Sequence, residues 1–222
     1  MRRPGRRPNL LAREDVLPHP RQARSEEKRA RLKAAGLALF AERGYERTSI
    51  EDIASRANVA VGSVYQHFRS KRQLLLALMD ELVRNIESLQ LRLPSSDARA
   101  GLRHLLSRAA STDLRYAGAY RAWQEAVLSD AALARTQRAV HAWTTKRVAA
   151  AFTLLQRRPG ARPRVDVEAL ARMMDSVFWG IIGQLGELST SERKRTINAA
   201  THLIYHALFL DRAMPRAATR DV

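Results

Sequence analysis

The sequence predicts an all-α protein, and three observations lead there. Prolines are confined to a few short stretches: Pro4, Pro8, Pro18 and Pro20 near the start, Pro94 in the middle, Pro159 and Pro163 later, and Pro215 at the end. A proline inside a helix removes a backbone hydrogen bond and clashes with the preceding turn, so the long proline-free spans are permissive for helix. Those spans are rich in Ala, Leu, Arg and Glu, all strong helix formers. None shows the sustained apolar–polar alternation that a half-buried strand requires, and no internal repeat is evident.

The elements follow in order. Met1 to Arg24 holds seven arginines against Glu14 and Asp15 and few apolar side chains, which predicts a disordered basic arm over residues 1–24. Ser25 offers an N-cap, with Glu26 and Glu27 where a helix N-terminus favours negative charge. Leu32, Gly36, Leu39 and Phe40 share one helical face, and Gly44 is placed to end that first helix. Thr48-Ser49-Ile50-Glu51 reads as a capping box opening a short helix that buries Ile50, Ile53, Ala54 and Ala57. Asn58 marks a turn, because Asn is the commonest non-glycine residue in the left-handed backbone region. A second short helix around Val61 to Phe68 buries Val64 and Phe68. Ser70 then caps a helix whose inward face carries Leu74, Leu75, Leu78, Leu82 and Ile86. Further helices are expected near Asp97 to Leu114, Tyr116 to Leu128, Ala131 to Gln156, Asp166 to Leu188 and Ser191 to about Arg212.

Composition narrows the function. The chain has 222 residues, of which 45% are hydrophobic, enough to bury a core. Its 39 Lys+Arg against 22 Asp+Glu give a formal net charge of +17, which favours polyanionic partners. Residues 1–72 hold 17 basic and 8 acidic side chains, so about half of that excess sits in the first third of the chain. The absence of cysteine excludes disulfides, thiolate metal sites and cysteine nucleophiles. The uncharged stretch Ser176 to Gly186 is far short of the roughly 20 residues that span a bilayer. The N-terminus lacks the apolar block of a signal peptide. These features predict a cytoplasmic protein with no membrane partner. No phosphate-binding loop, dinucleotide glycine fingerprint, nucleophile elbow or His-Glu-x-x-His motif is present, and the acidic residues are scattered, so the chain reads as a non-enzyme without cofactor. His202 and His206 lie one helical turn apart, but no neighbouring acid or third ligand is evident. They therefore read as a packed or interfacial pair, and no metal site is expected.

Two short helices joined by a tight turn describe a helix-turn-helix. Ala54 is small where the helices approach, Asn58 lies in the turn four residues later, and Val64 packs the second helix back onto the first. The stretch Leu32-Lys-Ala-Ala-Gly-Leu-Ala-Leu-Phe40-Ala-Glu-Arg-Gly44-Tyr45, then Thr48-Ser49-Ile50, Ile53-Ala54, Asn58-Val59 and Gly62-Ser63-Val64-Tyr65-Gln66-His67-Phe68-x-Ser70-Lys71, resembles the DNA-binding domain of TetR-family regulators. It departs from that family at Asn58, Val61 and Arg72, where Gly, Lys and Glu are usual. The resemblance covers about a quarter of the chain. It implies a helix-turn-helix domain over residues 25–72 and a helical effector-binding and dimerisation domain over residues 73–222.

Chemistry assigns roles to the second short helix. The N-terminal end of such a helix enters the major groove, which brings Val61, Gly62, Ser63 and Gln66 to the base edges. Gln pairs bidentately with adenine and Val touches a thymine methyl, while Gly62 permits close backbone approach. The resemblance implies phosphate contacts from Tyr65, His67, Thr48, Ser49 and Lys71; Tyr65 could instead be a core aromatic with an exposed hydroxyl. Arg47 either clamps a phosphate or is solvated, and the basic arm either joins it on the backbone or dangles.

One such motif reads only a few base pairs, so a homodimer on a palindromic double-stranded operator is expected. Apolar stripes run along both of the last two helices. Leu170, Met174, Val177, Ile181, Leu185 and Leu188 form one, and Gly180, Gly183 and Gly186 leave a smooth track beside it. By resemblance these helices would form the dimer interface. Tyr116, Tyr120, Trp123, Trp143, Phe152 and Phe178 could line a cavity for a small effector or form plain core. The expected ligand contacts are Tyr120, Trp123, Trp143, Met174 and Phe178. The resemblance implies a ligand-responsive regulator, most simply a repressor that leaves DNA when a small apolar or amphipathic effector binds. A nonspecific architectural DNA binder is the competing reading.

Overall fold

The computed structural model describes residues 5–12, 14, 23–89 and 97–210. The rest of the N-terminal arm and Arg212 lie outside the described residues. Nine α-helices account for most of what is described: α1 (Ala23–Arg43), α2 (Ile50–Arg56), α3 (Val61–Tyr65), α4 (Lys71–Ser88), α5 (Ala98–Asp113), α6 (Ala117–Ser129), α7 (Ala131–Leu155), α8 (Val167–Leu185) and α9 (Thr190–Leu208). A short 3-10 turn, Leu114–Tyr116, joins α5 to α6. Among the described residues the sole β-type pairing is an isolated bridge between Ala161 and Phe209. The fold is all-α, as the proline spacing predicts.

Local chemistry sets most boundaries. Gly44 ends α1 with φ +78°, and Asn58 takes φ +52° between α2 and α3. Ser70 caps α4 by accepting from the Gln73 amide at 3.1 Å. Asp97, Asp130 and Asp166 cap α5, α7 and α8 in the same way, each accepting from two amides in the first turn. Three expected caps move. Helix α1 already begins at Ala23, which places Ser25 inside its first turn. The box at α2 is Ser49 with Asp52, not Thr48 with Glu51, because the side chain three residues beyond the cap reaches back to the cap amide. Ser189 with Glu192, rather than Ser191, opens α9.

The first core cluster joins α1 to α4 with α6. Leu32, Phe40, Ile53, Val64, Phe68, Leu74, Leu78 and Trp123 are all at most 1% exposed. A second cluster, with Leu102, Phe152, Ala171, Ile204 and Leu208, ties α5, α7, α8 and α9 together.

The expectation of disorder fails for the described part of the arm. Leu10 is buried in the first cluster. Arg7 pairs with the buried carboxylate of Asp80 and lies 3.2 Å from Glu87, while Glu14 pairs with Arg72. The Gly5 carbonyl accepts from Trp143 Nε1 at 3.0 Å. One leucine and well-placed acidic partners anchor a segment whose average composition is that of a solvated tail.

Candidate nucleic-acid interface and an apolar cavity

Helix α3 is five residues long and is held by its inner face alone. Val64 is fully buried against Ala54, Ile53 and Phe68 of the first cluster. The outer face carries Val61 (37% exposed), Tyr65 (48% exposed) and the exposed Gly62 and Gln66, with Ser63 half-buried at the edge. A Cβ added at Gly62 would meet nothing within 4 Å, so the backbone there is open to close approach by a ligand. The left-handed turn at Asn58 separates this face from α2, and the Val59 amide donates to the Ala54 carbonyl at 3.0 Å across it. Five of the expected contact residues, Val61, Gly62, Ser63, Tyr65 and Gln66, therefore come together on one surface. Arg47 is exposed, with Nε donating to the Arg43 carbonyl at 3.0 Å.

The other expected contacts are engaged elsewhere. Thr48 is 1% exposed, and its hydroxyl donates to the Gly44 carbonyl at 2.7 Å, satisfying the end of α1 instead of presenting to solvent. Ser49 Oγ accepts from the Asp52 amide and donates to Asp52 Oδ2 at 2.9 Å. The Ser49 amide and hydroxyl in turn hold the Asp52 carboxyl below its ordinary range. His67 is buried, and burial followed by the charges of Arg29 and Lys28 lowers its pKa, which keeps the imidazole neutral near pH 7. Lys71 Nζ donates to the carbonyls of Tyr45 (2.9 Å), Thr48 (3.1 Å) and Glu46 (3.3 Å), and stands 4.4 Å above the Tyr45 ring. It neutralises the carbonyl-rich turn between α1 and α2, and is not displayed on the α3 face.

Two residues that sequence reasoning passed over hold this surface in place. Arg29 is buried on α1, donates to the His67 carbonyl at 2.9 Å and lies 4.3 Å over the Phe68 ring. Glu125 on α6 accepts the amides of Tyr45 (2.6 Å) and Glu46 (3.1 Å), so the α1–α2 turn is gripped by a carboxylate 80 residues away. Sequence distance hides both, because neither type of side chain announces a carbonyl or amide partner.

A second feature lies where the two core clusters meet. A cavity of ≈ 180 Å³ opens between the C-terminal end of α4 and helices α5, α7, α8 and α9. Its walls are almost wholly apolar and include Leu102, Phe152, Met174, Phe178, Ile181 and Ile204. Of the expected ligand contacts, Met174 and Phe178 line it. Tyr120, Trp123 and Trp143 do not: all three are at most 5% exposed and belong to the first core cluster. Tyr120 stacks on Trp179 with ring centroids 5.0 Å apart. Helical spacing cannot tell a cavity wall from close-packed core, and here close packing won. The His202 and His206 rings lie 4.1 Å apart on α9, and among the described residues no third His, Cys, Asp or Glu completes a metal site. None of the described helices is long and apolar enough to cross a membrane.

Comparison with known proteins bears on the exposed helix and on the whole fold separately. Residues 32–78 match the family model described as bacterial regulatory proteins, tetR family. The chain carries a TetR-family domain. A helix-turn-helix transcriptional activator of Mycolicibacterium smegmatis, FasR, is 40% identical over 63 residues, which is 28% of this chain and 29% of that protein. A helix-turn-helix transcriptional repressor of Mycobacterium tuberculosis is 49% identical over 57 residues, 26% of this chain and 30% of the repressor. The matched segment thus spans less than a third of the length of these two relatives. Among solved structures, SmeT in complex with triclosan has a TM-score of 0.65 at 23% identity, covering 88% of this chain and 98% of SmeT. NalD of Pseudomonas aeruginosa has a TM-score of 0.60 at 20% identity, covering 84% and 99%. At those identities the likeness shows a shared fold over most of the chain, and the likeness to the tetR family itself rests on residues 32–78.

Proposed function

We propose that the chain is a sequence-specific, dimeric transcriptional repressor that leaves its operator when a small effector fills the ≈ 180 Å³ cavity. The carrying observation is the outward α3 face, with Val61, Gly62, Tyr65 and Gln66 exposed on a helix whose inner side is locked by Val64. Gln66 is the adenine-reading side chain and Val61 the methyl contact. Tyr65 and Arg47 are the phosphate contacts that set register without reading sequence. The named repressor and activator among the relatives share the reading domain, so the sign of regulation belongs to the rest of the molecule.

The two sites share α4. Its first residue, Lys71, holds the turn ahead of the helix-turn-helix, and its last turn contributes Ile86 to the cavity wall. Arg147, also on that wall, donates to the carbonyls of Ile86, Glu87 and Leu89 at the end of α4. A ligand that displaces this wall moves the far end of the helix whose first residue holds the α1–α2 turn. Release follows if the ligand favours a conformer whose two α3 helices no longer match the operator spacing. That SmeT, which shares this fold, is solved with triclosan supports an effector of small, largely apolar type.

Selection of bound sequences from random duplex DNA tests the reading. The wild-type chain should enrich a two-fold-symmetric site with half-site centres about 34–36 Å apart. Gln66→Ala should relax preference at one base pair per half-site, by roughly tenfold or more. Arg47→Ala should weaken binding to every sequence alike. Enrichment of no consensus would return the chain to the architectural class, and loss of affinity with unchanged preference in both variants would refute the division of roles.

A further inference from the structure

Among the described residues, one buried side-chain oxygen has no hydrogen-bond partner, Asp175 Oδ1. Asp175 sits on α8, is 3% exposed, and is one of the few polar residues in the cavity wall. Its other oxygen, Oδ2, lies 2.9 Å from His141 Nδ1 on α7, which fixes the orientation of the carboxylate. The other polar groups on that wall are already engaged. The Thr144 hydroxyl donates to the Val140 and His141 carbonyls and accepts from Trp179 Nε1, and Thr196 donates to the Glu192 carbonyl. Arg147 Nη2 is directed onto three carbonyls at the end of α4.

Buried acceptors are rarely left unmatched, since an unpaired polar atom away from water is unfavourable. An acceptor held by a neighbour and left vacant in an otherwise apolar wall is complementary to a donor brought by something else. We propose that the cavity selects an apolar molecule carrying a hydrogen-bond donor, a hydroxyl or an amine, which Asp175 Oδ1 receives. This rests on the reading of the cavity as the effector site, and it adds the polar half of the effector's chemistry. Apolar cavities of about 150 Å³ accept benzene, so ≈ 180 Å³ suits a small ring system. The carboxylate disfavours an anionic ligand by repulsion, and a capped ligand such as an ether leaves Oδ1 buried and unmatched.

The test titrates the full chain by calorimetry with three probes of nearly equal shape: 2-naphthol, 2-methoxynaphthalene and 2-naphthoate. Wild-type protein should bind naphthol at least about tenfold more tightly than the ether, since a site built around a hydrogen bond rejects the analogue lacking it. Naphthoate should bind most weakly. In Asp175→Leu the preference for naphthol over the ether should vanish; because the comparison among probes is also made on the wild-type chain, it stands even if that variant folds poorly. Equal binding of naphthol and ether overturns the proposal while leaving the cavity as the effector site. Tighter binding of naphthoate also overturns it and moves the anchor to Arg147. If no probe binds, or if Ala200→Phe, which fills the cavity, leaves naphthol affinity unchanged, the effector-site reading falls and the proposal with it.

Discussion

Lys71 shows how a residue can match a motif and still do a different job from the one the motif suggests. Its type, its place at the start of α4 and its neighbour Ser70 all point to a phosphate contact. In the folded chain its ammonium is drawn instead to three carbonyls of the α1–α2 turn. A charged donor to backbone acceptors contributes on the order of 1.5–3 kcal/mol, less where water competes, so Lys71→Met should lower unfolding free energy by about 1–2 kcal/mol. Urea unfolding measures this, and DNA affinity of the remaining folded protein should change little. Unchanged stability with weaker binding to all DNA would restore the phosphate role. The same lesson applies at Thr48 and His67. Polarity and position were legible in the sequence, but burial was not, because it depends on how α1 and its terminal turn meet these residues in the fold. Exposure of Gly62 and Gln66 was legible from their polarity or lack of a side chain, whereas that of Val61 and Tyr65 was not, because both are apolar and only the fold leaves them 37% and 48% exposed.

At the scale of elements the sequence was far more informative. Proline spacing, Asp and Ser caps and the left-handed Asn58 set helix boundaries to within a few residues, because these are local effects. What helices pack against is not local. Gly118 on α6 meets α1 so closely that a Cβ there would lie 2.3 Å from Ala41 Cβ and 2.6 Å from its Cα. In an open helix, Gly to Ala gains about 1 kcal/mol of propensity. Here the clash should outweigh that gain, since overpacking costs typically 1–3 kcal/mol and backbone atoms cannot swing aside. Gly118→Ala is therefore expected to destabilise the fold, and Ala41→Gly in the same chain to recover only part of the loss, because the Ala41 Cα and N would still lie 2.6 and 2.9 Å from the added Cβ. A double-mutant cycle by thermal unfolding reads the coupling directly. Additive effects would show that α6 simply slides away from α1, and that the Glu125 grip on the α1–α2 turn is looser than its 2.6 Å hydrogen bond implies. Tyr120, Trp123 and Trp143 fall outside the cavity for the complementary reason: they are close-packed in the first core cluster, whereas the cavity formed where two clusters meet.

For the whole molecule the open question is what covers the outer face of α8 and α9. Met173 is 61% exposed, Val177 45% and Leu203 63%, all apolar and on the last two helices. Gly180 continues this face, since a Cβ there would meet nothing within 4 Å. Gly183 and Gly186, expected to extend the track, turn inward instead: added Cβ atoms would meet Tyr120 at 3.8 Å and Ala117 at 3.6 Å. The unpartnered surface is thus narrower than the glycine spacing suggests, and it centres on the three large side chains. A second copy presenting the same face would bury them about a two-fold axis, which is how most soluble homo-oligomers close. The net charge of +17 argues against random self-association, so the contact must be specific. Sedimentation velocity at micromolar concentration should show a dimer, and Met173→Glu with Leu203→Glu should shift it to monomer. On the proposal that each subunit reads one half-site, operator affinity in that double variant should fall by on the order of a hundredfold or more, the avidity of two linked sites. Affinity for an isolated half-site should stay the same, because α3 is untouched. A variant that remains dimeric would move the interface elsewhere on the molecule, and a monomeric wild-type chain that still binds full palindromes tightly would remove the need for a second copy.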